Sequence, residues 1–257
     1  MKYILPAKKN TNYISTLMPF LVIIGQLMFI FGAQAQTRPY DNTEINIVNK
    51  GGLQSDIYFG KNNTSSLDVF NLSTMLRYGL INNMELQVEW ASDKFRHQNV
   101  KLNGTNEVTT IGLKIHLTDD GSILPALSAI ITSNLTFDTD NRIFLPRLNI
   151  LFEKAITSSF NANGNFEVQV HEDSGDLFIN YTFNLEADIA NWQTTYIGIT
   201  GNNNSFKLEN ETYQNYLEIG MLFYISDGIV IYPFYDVGLN DASGDIFNIG
   251  ALFTLGK

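Results

Sequence analysis

Hydrophobic and polar residues alternate along most of the chain after residue 50. Residues 84–90 read Met-Glu-Leu-Gln-Val-Glu-Trp, and residues 111–117 read Ile-Gly-Leu-Lys-Ile-His-Leu. Successive side chains of a β-strand point to opposite faces, so this alternation indicates strands with one apolar and one polar face. About twelve such segments are predicted, at 52–61, 67–81, 84–95, 107–118, 124–137, 142–155, 159–171, 176–188, 191–202, 211–225, 229–240 and 245–256.

The connections between these segments alternate in kind. Short turns are expected at 81–83, 118–121, 156–158, 190–191 and 226–228. More polar and often longer connections are expected at 62–66, 96–106, 138–141, 173–175 and 203–210. Short periplasmic turns and longer external loops are typical of outer-membrane barrels. We therefore predict an all-β fold, an antiparallel transmembrane β-barrel of about twelve strands with both termini periplasmic.

The polar faces of the strands distinguish such a barrel from a soluble sandwich. In a sandwich the polar face meets solvent and carries many charged residues, whereas here it is rich in Asn, Thr, Ser, Gln and Gly. Aromatic residues lie near strand ends on the apolar face, as in the aromatic girdles of membrane barrels: Tyr78, Trp90, Phe152, Phe160, Tyr213, Phe223 and Phe253. A secreted β-sandwich is the alternative fold.

The N-terminal region is typical of an exported protein. Lysines precede an apolar run from Ile14 to Gly32, and Ala33-Gln34-Ala35 follows as a small-x-small cleavage signature. This arrangement predicts a signal peptide over 1–35, cleaved near Ala35. An uncleaved membrane anchor is the alternative, because the apolar run approaches the length of a spanning helix.

The segment between this leader and the first strand lacks alternation. We interpret residues 36–50 as an N-terminal periplasmic segment, which either dangles or folds back as a plug, and residues 51–257 as the outer-membrane barrel. Arg38 and Glu44 are its candidate functional residues. If the segment folds in, we expect them to find partners among Arg77, Glu85 and Glu89.

Charge and composition exclude several classes of function. The chain has 16 Lys and Arg against 26 Asp and Glu, giving a formal net charge of −10. This balance argues against a nucleic-acid partner, because nucleic-acid-binding domains usually carry a basic patch. The absence of cysteine excludes disulfides, thiolate metal sites and cysteine nucleophiles. The expected partners are outer-membrane lipid and an unidentified small solute; the oligomeric state is not predicted.

No motif indicates catalysis. The histidines are His97, His116 and His171, and none has the spacing of a metal ligand set or a catalytic triad. The sequence contains neither a Gly-x-Ser-x-Gly elbow nor a His-Glu-x-x-His helix motif. We therefore expect no enzyme activity, catalytic residue, metal or cofactor.

Charged side chains on the polar faces would line the lumen. Arg77 and Glu85 flank one short turn, so we expect them to pair across that hairpin. A charged constriction that sorts solutes is one interpretation; the other is that charges in a narrow barrel pair simply to be tolerated. The charged candidates are Arg77, Glu85, Glu89, Lys114, Arg147, Glu153, Glu167, Glu186 and Glu218.

Parts of the mature chain resemble a known family. Residues 37–44, Thr-Arg-Pro-Tyr-Asp-Asn-Thr-Glu, are similar to the N-terminal motif of that family. Residues 76–86, Leu-Arg-Tyr-Gly-Leu-Ile-Asn-Asn-Met-Glu-Leu, resemble its most distinctive hairpin. Weaker matches occur at 111–114, 125–127 and 249–253. The chain thus resembles the outer-membrane transporters grouped under the MetA pathway of phenol degradation.

That resemblance implies an outer-membrane channel or transporter for small, hydrophobic or aromatic solutes. One departure lies at Tyr232, where the family tends to place an inward Asp. The alternative function is a non-conducting outer-membrane barrel that acts as a scaffold or binding partner.

Overall fold

The computed structural model describes residues 45–63, 67–97, 103–121, 123–135, 146–170, 177–202, 214–240 and 243–255. These residues all belong to one compact unit. The expected signal peptide, Arg38, Glu44, His171 and Tyr213 lie outside the described residues, as do the connections expected at 138–141, 173–175 and 203–210. In the described part of the chain, no helix has the length and apolarity needed to cross a bilayer.

Twelve antiparallel β-strands close into one barrel, in which each strand pairs with its sequence neighbours and β1 pairs with β12. The prediction of an all-β antiparallel barrel of about twelve strands is confirmed. The strands are β1 (Leu53–Asn63), β2 (Leu67–Ile81), β3 (Met84–His97), β4 (Asn103–Thr118), β5 (Ala126–Leu135), β6 (Pro146–Thr157), β7 (Phe160–Val170), β8 (Leu177–Ala190), β9 (Gln193–Asn202), β10 (Gln214–Ser226), β11 (Ile229–Gly238) and β12 (Asp245–Leu255).

The connection expected at 96–106 is mostly strand, so this part of the prediction is wrong. β3 continues to His97 and β4 begins at Asn103, with Arg96 opposite Asn103 and Asp93 opposite Asn106. Backbone groups make the ladder hydrogen bonds, so a polar sequence can extend a hairpin as well as an apolar one. The polarity of the sequence therefore predicted the end of β3 too early and the start of β4 too late.

The outward face of the barrel is apolar. Large hydrophobic side chains point away from the lumen and are exposed, including Phe59, Leu72, Ile131, Leu148, Phe166, Phe183, Ile199, Ile219 and Phe247. Buried polar side chains face inward, including Gln54, Ser73, Gln87, Asn149, Asn163, Asn184 and Asn248. This distribution is the reverse of that in a water-soluble protein.

Two inward tyrosines lie against glycines on the neighbouring strand. Tyr232 is directly opposite Gly250, and Tyr196 is directly opposite Gly220. A Cβ atom built on Gly250 would lie 2.1 Å from Cζ of Tyr232, and one on Gly220 would lie 2.3 Å from Cζ of Tyr196. The missing side chains therefore let the rings pack flat on the wall.

Arginine substitutions should distinguish the two faces of β8. Phe183 is outward and 46 % exposed near the middle of the strand, whereas Asn180 is inward. In a bilayer, Phe183→Arg should cost about 2–4 kcal/mol of unfolding free energy, because the guanidinium enters hydrocarbon. Asn180→Arg should cost much less. Urea unfolding of barrels refolded into lipid vesicles measures both; equal losses would contradict the face assignment.

Candidate functional site

Residues 45–50 lie on the inner surface at the rim formed by the short turns. Lys50 forms a parallel bridge with Gly79, and the Gly51 N–H donates to the Gly79 carbonyl at 2.8 Å. A Cβ atom on Gly79 would lie 2.0 Å from the carbonyl oxygen of Asn49. Only glycine admits so close a backbone approach. Gly79 thus provides the surface on which this inner segment (residues 45–50) rests.

Glu85 is the acceptor at the centre of this rim. Its carboxylate accepts Nε of Arg77 at 2.7 Å and Nη2 of Arg77 at 3.0 Å, a bidentate ion pair. The backbone N–H of Val48 donates to the same carboxylate at 2.8 Å, and Nε2 of Gln87 donates at 2.7 Å. Glu85 is 0 % exposed. The expected pairing of Arg77 with Glu85 is therefore present, and it also binds the inner segment.

The cationic side chains of this rim bind carbonyl groups of the inner segment. The carbonyl oxygen of Asn46 accepts Nη2 of Arg77 at 3.0 Å and Nζ of Lys114 at 2.8 Å. The hydroxyl of Ser128 donates to the carbonyl of Ile45 at 2.9 Å. Buried cationic groups need such partners. The inner segment thus supplies a hydrogen-bond acceptor to both Arg77 and Lys114.

Arg147 lies farther from this rim, beside an open cavity. Its Nη2 donates to Oδ1 of Asn134 at 2.9 Å and to the Thr110 hydroxyl at 3.3 Å. Its Nη1 lies 4.0 Å from Oε1 of Glu167, which accepts Nδ2 of Asn180 at 2.8 Å. The cavity is open to solvent, and its lining residues are Met75, Gln87, Glu89, Thr110, Gly112, Ile130, Thr132, Arg147, Asn149 and Glu167.

The remaining predicted carboxylates occupy another sector. Glu153, Glu186 and Glu218 face inward from β6, β8 and β10. Asn163 donates to Glu186, and Glu218 lies directly opposite Asp236. The structure thus groups Arg77, Glu85 and Lys114 at the rim and Glu89, Arg147 and Glu167 at the cavity. Glu153, Glu186 and Glu218 belong to neither group.

An inward apolar cluster was missed by sequence reasoning. Buried apolar and aromatic side chains of β9–β12 pack inside the barrel with Tyr58 and Tyr224: Tyr196, Leu222, Val230, Tyr232, Phe234 and Leu252. The sequence does carry a signal for this cluster: hydrophobic and polar residues cease to alternate in segments such as Ile229–Tyr235. Where both faces are apolar, polarity cannot assign the inward one. Tyr232 also donates to Oδ1 of Asp56 at 2.6 Å, so a carboxylate from β1 occupies this sector.

Carboxylates outnumber cationic side chains on the inward face of the described strands. The cationic side chains there are Arg77, Lys114 and Arg147. The carboxylates are Asp56, Glu85, Glu89, Asp93, Glu153, Glu167, Glu186, Asp188, Glu218 and Asp236. Asp56, Asp93 and Asp188 were not predicted to line the lumen. The inward face therefore carries a net negative charge.

Titratable groups at the short-turn rim are bound to one another. His116 lies 2.9 Å from Oδ1 of Asp119 and 3.3 Å from the Ser128 hydroxyl. A hydrogen bond from Lys154 at 2.6 Å holds the pKa of the exposed Asp120 carboxyl below its usual value. Among the described residues, no three His, Asp or Glu side chains form a group able to hold a metal ion.

Comparison with known proteins finds similarity at the level of structure. No family model and no curated protein matches the chain. An outer membrane channel from Pseudomonas putida F1 superposes with a TM-score of 0.59 at 11 % identity, covering 86 % of this chain and 100 % of that one. The NanC porin gives a TM-score of 0.55 at 13 % identity, with coverage of 78 % and 100 %.

The KdgM porin, in complex with disordered oligogalacturonate, gives a TM-score of 0.52 at 8 % identity, with coverage of 78 % and 99 %. At these identities the similarity establishes the fold alone. The chain therefore has the fold of outer-membrane channel and porin barrels.

The pair of Arg77 and Glu85 predicts a large asymmetry between single and double substitutions. Glu85→Gln leaves the Arg77 guanidinium buried without its counter-charge and should cost about 3–5 kcal/mol of unfolding free energy. Replacing both with Met should recover most of that loss, because no guanidinium is then left buried without its counter-charge. Urea unfolding in vesicles measures both variants.

Asp120→Asn is the matched control. It removes a carboxylate from an exposed ion pair with Lys154, so the unfolding midpoint should not move. If Glu85→Gln were as mild as this control, Arg77 and Glu85 would not stabilise the rim.

Proposed function

We propose that this protein is an outer-membrane channel for small solutes, with its short-turn rim on the periplasmic side. The observation that carries the proposal is the reversed distribution of side chains, apolar outside and polar inside a closed barrel. In water the apolar outer surface would be a large exposed patch that drives aggregation. In a bilayer the same surface meets hydrocarbon, and the closed ladder leaves no unpaired strand edge.

The polar inner face supports passage of solutes rather than a solid core. Asn, Thr, Gln and carboxylate side chains line the cavity and its surroundings, and the cavity opens to solvent. Such a lining can hold water, as in other outer-membrane channels. The apolar cluster of β9–β12 adds one apolar wall, which supports solutes that carry a hydrophobic or aromatic part.

The alternative is a barrel that conducts nothing and serves as a scaffold or binding partner. This alternative is favoured by inward side chains that fill part of the lumen: Leu151 is 0 % exposed and Tyr232 is 2 % exposed. Single-channel recording in planar bilayers separates the two functions. Repeated insertion of folded protein without conductance steps would support the scaffold and reject the channel.

We further propose that the N-terminal segment narrows the periplasmic mouth. The inner segment occupies the lumen side of β2–β5, where Arg77, Lys114 and Ser128 bind its carbonyl groups. Ile45 and Val48 are buried, at 4 % and 5 % exposure. A segment bound on the inner wall takes up cross-section that would otherwise hold water.

Removing residues 37–48 should therefore raise single-channel conductance. This deletion takes away Ile45, Asn46 and Val48, which make the contacts with the barrel wall. Removing residues 37–44 alone is the control, because it leaves those contacts in place and should leave conductance unchanged. If the longer deletion assembles normally and conducts like the intact protein, the segment does not narrow the mouth.

The orientation proposed here predicts which turns are accessible from outside the cell. An epitope placed within 203–210 should be labelled by antibody on intact cells. An epitope between Asn82 and Asn83 should be labelled only after the outer membrane is permeabilised, because short turns face the periplasm. Labelling of the 82–83 epitope on intact cells would reverse the orientation.

A further inference from the structure

Among the described residues, inward carboxylates outnumber inward cationic side chains, and the two kinds of group have different hydrogen-bond partners. On the inward face of the described strands, ten carboxylates stand against the cationic side chains Arg77, Lys114 and Arg147. Arg77 is held in a bidentate pair with Glu85, and Lys114 binds the Asn46 carbonyl. Arg77 and Lys114 therefore bind groups of the rim and of the inner segment.

Neutral amides donate to several of the carboxylates. Asn71 donates to Asp93 at 2.7 Å, and Asn248 donates to Asp236 at 2.8 Å. A neutral donor satisfies a carboxylate oxygen without cancelling its negative charge. In a narrow passage with low-dielectric walls, such a charge distribution concentrates cations and repels anions.

Beside the cavity lies a buried polar atom that none of the described residues satisfies. Asn149 is 3 % exposed, lines the cavity, and its Oδ1 has no hydrogen-bond partner within the described part of the chain. Asn149 lies directly opposite Glu167 in the ladder. A buried acceptor of this kind is costly unless a ligand or water donates to it.

The charges around this cavity favour a cationic donor. Glu89 and Glu167 both line it against the guanidinium of Arg147, which donates to Asn134 and Thr110 and lies 4.0 Å from Glu167. The two carboxylates offer acceptors to an ammonium group, which has three donors and no acceptor, and the buried amide oxygen of Asn149 lies beside them. Within the described part of the chain, the buried Nε of Arg147 also has no hydrogen-bond partner.

We infer that the lumen selects small organic cations and that the cavity bounded by Glu89, Asn149 and Glu167 binds a protonated amine. This inference rests on the proposed channel function and names its solute class. An amine with an apolar body fits best, because the apolar cluster of β9–β12 forms another sector of the same lumen.

The first test is the reversal potential of single channels in a gradient of potassium chloride. Cation selectivity is expected, with a potassium permeability severalfold above that of chloride. A channel that conducts without selectivity, or prefers chloride, would overturn the inference while leaving the channel function intact. Absence of conductance steps would reject the channel function, and the binding test below would then decide the cavity alone.

The second test is calorimetric titration of the folded barrel in detergent at neutral pH. Benzylamine, benzyl alcohol and benzoate have the same ring and differ in charge, so they separate the charge from the apolar body. Benzylamine should bind, and the alcohol and the anion should bind at least about tenfold more weakly, since hydrogen bonds to charged groups are the stronger ones. Equal binding of the amine and the alcohol would exclude an amine site.

Substitutions then locate the site. Glu167→Gln and Glu89→Gln keep the side-chain shape and remove one charge each, so each should weaken benzylamine binding by about tenfold. Glu107→Gln is the matched control, because Glu107 loses the same charge from the exposed outward face of β4. If all three variants bind benzylamine like the unchanged protein, the cavity is not the amine site.

Discussion

The structure depends on closing the backbone hydrogen-bond ladder. β1 pairs with β12 from Leu53 opposite Leu255 to Asn63 opposite Asp245, so the sheet has no free edge. In hydrocarbon each unbonded backbone group would cost several kcal/mol, so a β-sheet crosses a membrane only when closed. Closure then creates an inside and an outside, and the two-residue period of the strand assigns every side chain to one of them.

The inside must satisfy the polar groups that closure encloses. Arg77 and Glu85 do so with a bidentate pair, and the inner segment supplies the Asn46 carbonyl and the Val48 N–H that complete their hydrogen bonding. Gly79 allows this by leaving room for the incoming backbone. The rim and the inner segment are therefore one polar network, in which loss of one member leaves a buried charge without its partners.

The lumen divides into two sectors of different chemistry. Carboxylates, amides and hydroxyls dominate the wall of β2–β8, whereas the apolar cluster occupies β9–β12. Glycines at 220 and 250 let Tyr196 and Tyr232 lie flat, so the apolar wall takes less of the cross-section than upright rings would. A solute that passes through would meet an acidic side and an apolar side together, which is the basis for expecting an amine with an apolar body.

Apart from the boundary between β3 and β4, the sequence by itself determined the approximate strand positions, the antiparallel barrel and the inward position of residues such as Arg77, Glu85 and Glu167, because alternation with period two is a local property. It also implied that Arg77 and Glu85 meet, since they flank one turn. Only the tertiary structure decided that Asn46 binds Arg77 and Lys114, that Asn149 faces a cavity with Glu89, and that Tyr232 reaches Asp56. Those contacts join residues far apart in sequence, and their partners are set by the register and closure of the whole sheet, which no local pattern contains.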